Sequence, residues 1–118
     1  MTTPAGHTNA IRASRVIGTN VYNSSGSKIG EIEDVILEKM SDRILFAVVG
    51  FGGRMGMGER FHAVPRSALD YDENRGGYSV PFTQEQLERA PADTIQELTR
   101  DDGKRARDDS LAHYGVRP

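Results

Sequence analysis

The sequence predicts an all-β domain of about five to six strands, spanning residues 11–82. Three observations lead there. Short runs of β-branched and aromatic residues alternate with Gly, Asn and Ser at the spacing of small all-β domains. The run ILFAVVGF at 44–51 is almost wholly apolar, yet too short for an ordinary isolated helix and built from strand formers. Apolar residues also concentrate between Val16 and Val80, where a single core can use them.

Residues 1–10, MTTPAGHTNA, are small and polar and are expected to form a flexible lead-in. Residues 16–22 are expected to form the first strand, interrupted by Gly18. Asn23, Ser24, Ser25, Gly26 and Ser27 then make a hairpin turn, because these residues bond their own backbone or tolerate positive φ. The second strand, 29–38, carries a phase conflict. Ile32 and Ile36 share one parity, whereas Val35 and Leu37 share the other with Glu31 and Glu33. A flat strand cannot bury both sets, so a bulge or bend is predicted near Asp34, with the Asp34 carboxylate satisfying backbone N–H groups there.

Residues 41–43 turn the chain into the central strand, 44–51, whose two faces both require cover. A glycine-rich loop over 52–58 includes Gly52 and Gly53, and residues 59–64 return as the fourth strand. Pro65 ends that strand, because it has no N–H to donate. One tight helical turn is expected at 67–69, a loop at 70–77 and the last strand at 78–82. Thr83 with Gln86 three residues on has capping-box spacing, so a short helix runs to about Ala90 and stops at Pro91. Asp93 is the expected cap of a second short helix ending near Leu98, which closes a helical segment over 83–100. Residues 101–118 read as a mixed-charge, coreless tail, with Leu111, Tyr114 and Val116 as a small apolar patch near its end.

Several residue blocks in this order resemble the PRC-barrel family. They include Ile17-Gly18, Val21-Tyr22-Asn23, the block Ile29-Gly30-Glu31-Ile32-Glu33-Asp34-Val35, Phe51-Gly52-Gly53, Gly56-Met57-Gly58, Ala63-Val64-Pro65 and Ser67-Ala68-Leu69. The resemblance covers roughly residues 11–83, and the closing YGVRP is similar to the ends of some bacterial single-domain members. It implies a small, strongly bent β-barrel. Similar barrels belong to the photosynthetic reaction centre H subunit and the ribosome maturation factor, where they dock proteins. The family shares no active site, so the resemblance implies no catalytic residue. Two positions depart from the family pattern: His62, commonly aliphatic or polar, and Arg66, often aromatic.

Charge and motifs narrow the function classes. The formal net charge is −2, and no segment carries a clustered basic footprint: residues 1–28 sum to +3, 29–51 to −3, 52–82 to zero and 83–118 to −2. Nucleic acid is therefore not an expected partner. No apolar run approaches the roughly 20 residues of a membrane span, so no membrane insertion is expected. The absence of cysteine and of an apolar leader favours a cytoplasmic setting. The glycines at 50, 52, 53, 56 and 58 do not fit a dinucleotide fingerprint, because Met55 stands where the third glycine belongs. His7, His62 and His113 share no ligand spacing. No metal, cofactor or catalytic residue is expected.

The expectation is a non-catalytic protein-interaction module that self-associates, with a dimer favoured, because a barrel of about 75 residues buries a marginal core. It would also dock onto another protein. The expected contact residues are Arg54, Met55, Met57 and Phe61 at the glycine-loop hairpin and Leu111, Tyr114 and Val116 in the tail. Methionine adapts to irregular surfaces, and none of these apolar groups has an assured place in the barrel. Asp34, Gly52, Gly53 and Pro65 are expected to be structural. The competing reading is a ligand-binding or enzymatic barrel that uses a cleft beside the glycine loop.

Overall fold

The computed structural model describes residues 10–41, 43–51 and 61–117. Six strands form one mixed sheet: β1 (Asn20–Tyr22), β2 (Lys28–Glu38), β3 (Arg43–Phe51), β4 (His62–Pro65), β5 (Asp70–Asp72) and β6 (Gly77–Ser79). Their order is β4-β3-β2-β1-β6-β5, with β1 and β6 parallel and the other pairs antiparallel. Four short helices accompany the sheet: α1 (Ala13–Val16), α2 (Gln84–Glu88), α3 (Ile95–Thr99) and α4 (Lys104–Tyr114).

The central strand explains the architecture. Along β3, Ala47 and Val49 enter one core cluster with Val21, Ile32, Val64 and Val80, while Phe46 and Val48 enter a second with Ala63, Leu98 and Ala106. Side chains alternate across a strand, so a run apolar on both parities requires cover on both faces. The C-terminal helices supply the cover for Phe46 and Val48.

The phase conflict in β2 is resolved by a bulge at Glu33. Ile32 pairs with Val49 but Asp34 with Val48, leaving Glu33 as an extra residue. A second shift lies further along, with Ile36 opposite Phe46 and Leu37 opposite Ile44. The Asp34 carboxylate accepts the Val35 N–H at 2.8 Å, as the predicted bend requires. Val21, Ile32, Phe46, Val48, Val64 and Val80 are buried, whereas Val35 is half-buried.

Other expectations are corrected. The first strand begins at Asn20, because Ala13–Val16 is a helical turn and Gly18, at φ +91°, redirects the chain into the sheet. Asp70–Asp72 is a strand rather than loop, with Tyr71 opposite Tyr78 and their rings 5.1 Å apart. The last strand is shorter than expected, and it starts at Gly77 for a steric reason. A Cβ there would lie 2.5 Å from the Asn20 carbonyl oxygen, so only glycine lets β6 approach β1.

The sheet is open rather than closed into a barrel. Beside β4, Phe61 exchanges both backbone hydrogen bonds with Asp93, at 2.7 and 2.9 Å, and α4 packs on the strand. The chain's own C-terminal segment thus occupies the flank that closure would use.

Thr83 caps α2 in a full capping box with Gln86. Thr94, not Asp93, caps α3, because Asp93 is committed to Phe61. The coreless tail is also corrected: residues 104–114 form α4, which buries Ala106, Ser110 and Tyr114, one residue per turn. With α2 to α4 packed on the sheet, the fold is not purely all-β.

Candidate functional site

An apolar concavity of about 680 Å³ lies between α1 and strands β2 and β3, on the side of the sheet that carries the first core cluster. Local hydrogen bonds hold its walls. Gly18 N–H donates to the Ile32 carbonyl at 2.7 Å, Ile32 N–H to Thr19 at 2.9 Å, and the Thr19 hydroxyl to Val16 at 2.6 Å. These bonds pin the α1–β1 connection onto β2, which sets Val16 and Ile17 along one wall. Leu37 and Ile44, paired across the β2–β3 ladder, form the other, with Ile32, Ala47 and Tyr78 among the remaining lining residues.

The rim is exposed. Ile11 is 44%, Ile17 46%, Leu37 58% and Ile44 40% accessible, and Met40, at the nearby hairpin end, is 94% accessible. A contiguous set of large aliphatic groups in water marks an interaction surface more often than isolated exposed residues do. Among the described residues, the charged side chains lining the groove are Asp34 and Arg66.

A second, polar basin of about 710 Å³ is lined by Asn23, Ser24, Asp70, Asp72, Arg75 and Ser79, among others. Two of its ionisable groups, Asp72 and Arg75, are tied into the fold. Asp72 accepts the N–H groups of Asn74 and Arg75, and the Arg75 guanidinium donates to Gly26 at 2.9 Å and lies 4.8 Å from the Tyr22 ring centroid. Asn23 likewise uses Oδ1 to accept from Ser25 N–H, Ser25 hydroxyl and Ser27 N–H.

Histidines and tyrosines between the sheet and the C-terminal helices are perturbed by packing. Burial lowers the His62 pKa, opposed by backbone hydrogen bonding at Pro91 and Ala90 and by Asp93, and assisted by His113. His113 donates through Nε2 to the Gln86 carbonyl at 2.8 Å, bridging α4 to α2. Burial pushes the Tyr114 phenol up to about 12, and its hydroxyl has no hydrogen-bond partner among the described residues. Burial, then Tyr71, raises Tyr78. Among the described residues no group of three or more His, Cys, Asp or Glu is placed to hold a metal ion, and no helix is long and apolar enough to cross a membrane.

The expected contact residues separate. Gly52, Gly53, Arg54, Met55 and Met57 lie outside the described residues. Phe61 is half-buried against the Phe46 cluster. Tyr114 stacks on Phe82 with ring centroids 4.1 Å apart, Val116 packs on the same cluster, and Leu111 is half-buried beside Ile44, Leu45 and Arg66. The C-terminal apolar groups therefore fold back onto their own sheet. Pro65 is buried as the last residue of β4, opposite Phe46. Sequence reasoning missed Ile11, Ile17, Leu37 and Ile44. Leu37 had left a signal, since strand alternation sends it to the face opposite the half-buried Ile36.

The model of the PRC-barrel domain matches residues 8–87, most of the chain. The chain belongs to the PRC-barrel family. No curated protein matches it. The PRC-barrel match ends within α2, so α3 and α4 are additions to the family domain, and they cover the face of β3 that bears Phe46 and Val48.

Proposed function

We propose that this PRC-barrel chain is a non-catalytic module that docks onto protein surfaces through the apolar groove between α1 and the β2–β3 pair. The observation that carries the reading is the rim itself, four large aliphatic side chains 40–58% exposed around one concavity. Burial of such groups contributes roughly 1.5–3 kcal/mol per large side chain when complete, so a mate that covers them binds with a sizeable apolar contribution. How the ionisable side chains are used supports the non-catalytic part. Asp72, Arg75 and His113 hold turns and helix contacts rather than converging on the groove.

The test is an affinity capture with the full chain and with Ile17→Ser/Ile44→Ser. Both positions are half-exposed, so the fold is expected to persist by circular dichroism. Proteins recovered by the parent and lost by the folded variant are expected. An identical recovered set from both would contradict the reading.

A further inference from the structure

We infer that the groove's mate is a second copy of this chain, related by a two-fold axis, with Asp34 of each copy meeting Arg66 of the other. The inference rests on the docking role proposed above and adds the partner to it. The groove is apolar except for few groups, and its charged lining among the described residues is one carboxylate and one guanidinium. Neither takes part in an ion pair among the described residues. Asp34 spends Oδ1 on the Val35 N–H, and Arg66 is exposed.

The sheet keeps these two charges apart within one chain. Strand β3 separates them: Asp34 of β2 stands opposite Val48, while Arg66 comes directly after Pro65, which stands opposite Phe46. Within one chain no ion pair joins them among the described residues. An unrelated partner must supply an acid and a base at matching positions. A second copy already carries both, because in a two-fold contact residue i meets j and j meets i. The aliphatic rim obeys the same symmetry. Leu37 and Ile44 are cross-strand neighbours, so this pair in one copy can stack on its equivalent across the axis. Apolar contact of this kind is tolerant of sliding, and two reciprocal charge pairs fix its register.

The test is sedimentation equilibrium of the full chain as parent, Asp34→Arg, Arg66→Asp and the double exchange, each checked for fold by circular dichroism. The parent is expected to show a concentration-dependent dimer. Each single reversal should raise the dimer Kd by at least about tenfold, and the double exchange should restore it. Asp34 also serves the bulge, so if Asp34→Arg fails to fold, Arg66→Asp alone must weaken the dimer, and Arg66→Lys must retain it. A dimer insensitive to these changes, or singles that the double exchange does not rescue, overturns the inference. So does a parent that stays monomeric. If that monomer still loses its captured protein in Ile17→Ser/Ile44→Ser, the docking role stands and only the second copy falls.

Discussion

Phe46 is fully buried between β3 and the C-terminal helices, where truncation leaves a cavity that the surrounding strands cannot fill. Phe46→Ala should cost about 3–5 kcal/mol, read from the urea midpoint at unchanged slope; a loss below about 1 kcal/mol would remove Phe46 from the core. Tyr114 offers the opposite case. Its ring stacks on Phe82, but its buried hydroxyl has no partner among the described residues, and an unpaired buried hydroxyl costs about 1–3 kcal/mol. Tyr114→Phe is therefore expected to leave stability unchanged or raise it, and a clear loss would show that the hydroxyl is bonded. His62 sets a pH dependence. Its folded pKa lies below the ordinary 6.5, chiefly through burial, so below about pH 6.5 the unfolded chain binds a proton that the folded chain resists. Stability should fall as the pH drops below that value and level off below the folded pKa. A His62→Gln chain should lose this part of the slope, and an unchanged profile would place the titration elsewhere.

At the scale of elements, legibility in the sequence depends on how each element announces its partners. The double-faced run in β3, the conflict at Asp34 and the Thr83 capping box all encode their structure in local residues, and all three stand in the fold. Helix α4 does not announce itself. It buries Ala106, Ser110 and Tyr114 along one stripe, too small and polar a set to look like a core face, and the core it covers was made by β3. Strand β5, read as Asp-Tyr-Asp beside turn residues, is defined only by its pairing with β6. Ion pairs from Glu97 to Arg100 and Arg105, at 2.8 and 3.6 Å, link α3 to the start of α4, yet such half-exposed pairs contribute at most about 1 kcal/mol. The apolar cover matters more. Truncation after Arg100 removes α4, uncovers Ala63 and Phe46 and strips Tyr114 from Phe82. The shortened chain should bind a hydrophobic dye and lose its cooperative transition. A sharp transition at the parent's midpoint would show that α4 is dispensable.

At the scale of the whole molecule, the strands and the family were legible, whereas the open sheet, the helical C-terminus and the groove were not. The groove depends on a helical turn at Ala13–Val16 lying against β2, a tertiary event that the strand-like letters of residues 16–22 conceal. The tail, by contrast, looked free because its cover is the sheet itself. With α1 to α4 in place, the rim of Ile11, Ile17, Leu37 and Ile44 stays 40–58% exposed among the described residues. The most direct measurement is the light-scattering mass of the parent and of Leu37→Ser/Ile44→Ser over a range of concentrations, with circular dichroism of both. A parent that approaches twice its 13.0 kDa chain mass, beside a folded variant held at the single-chain mass, is expected. Equal masses at every concentration would contradict self-association through the groove.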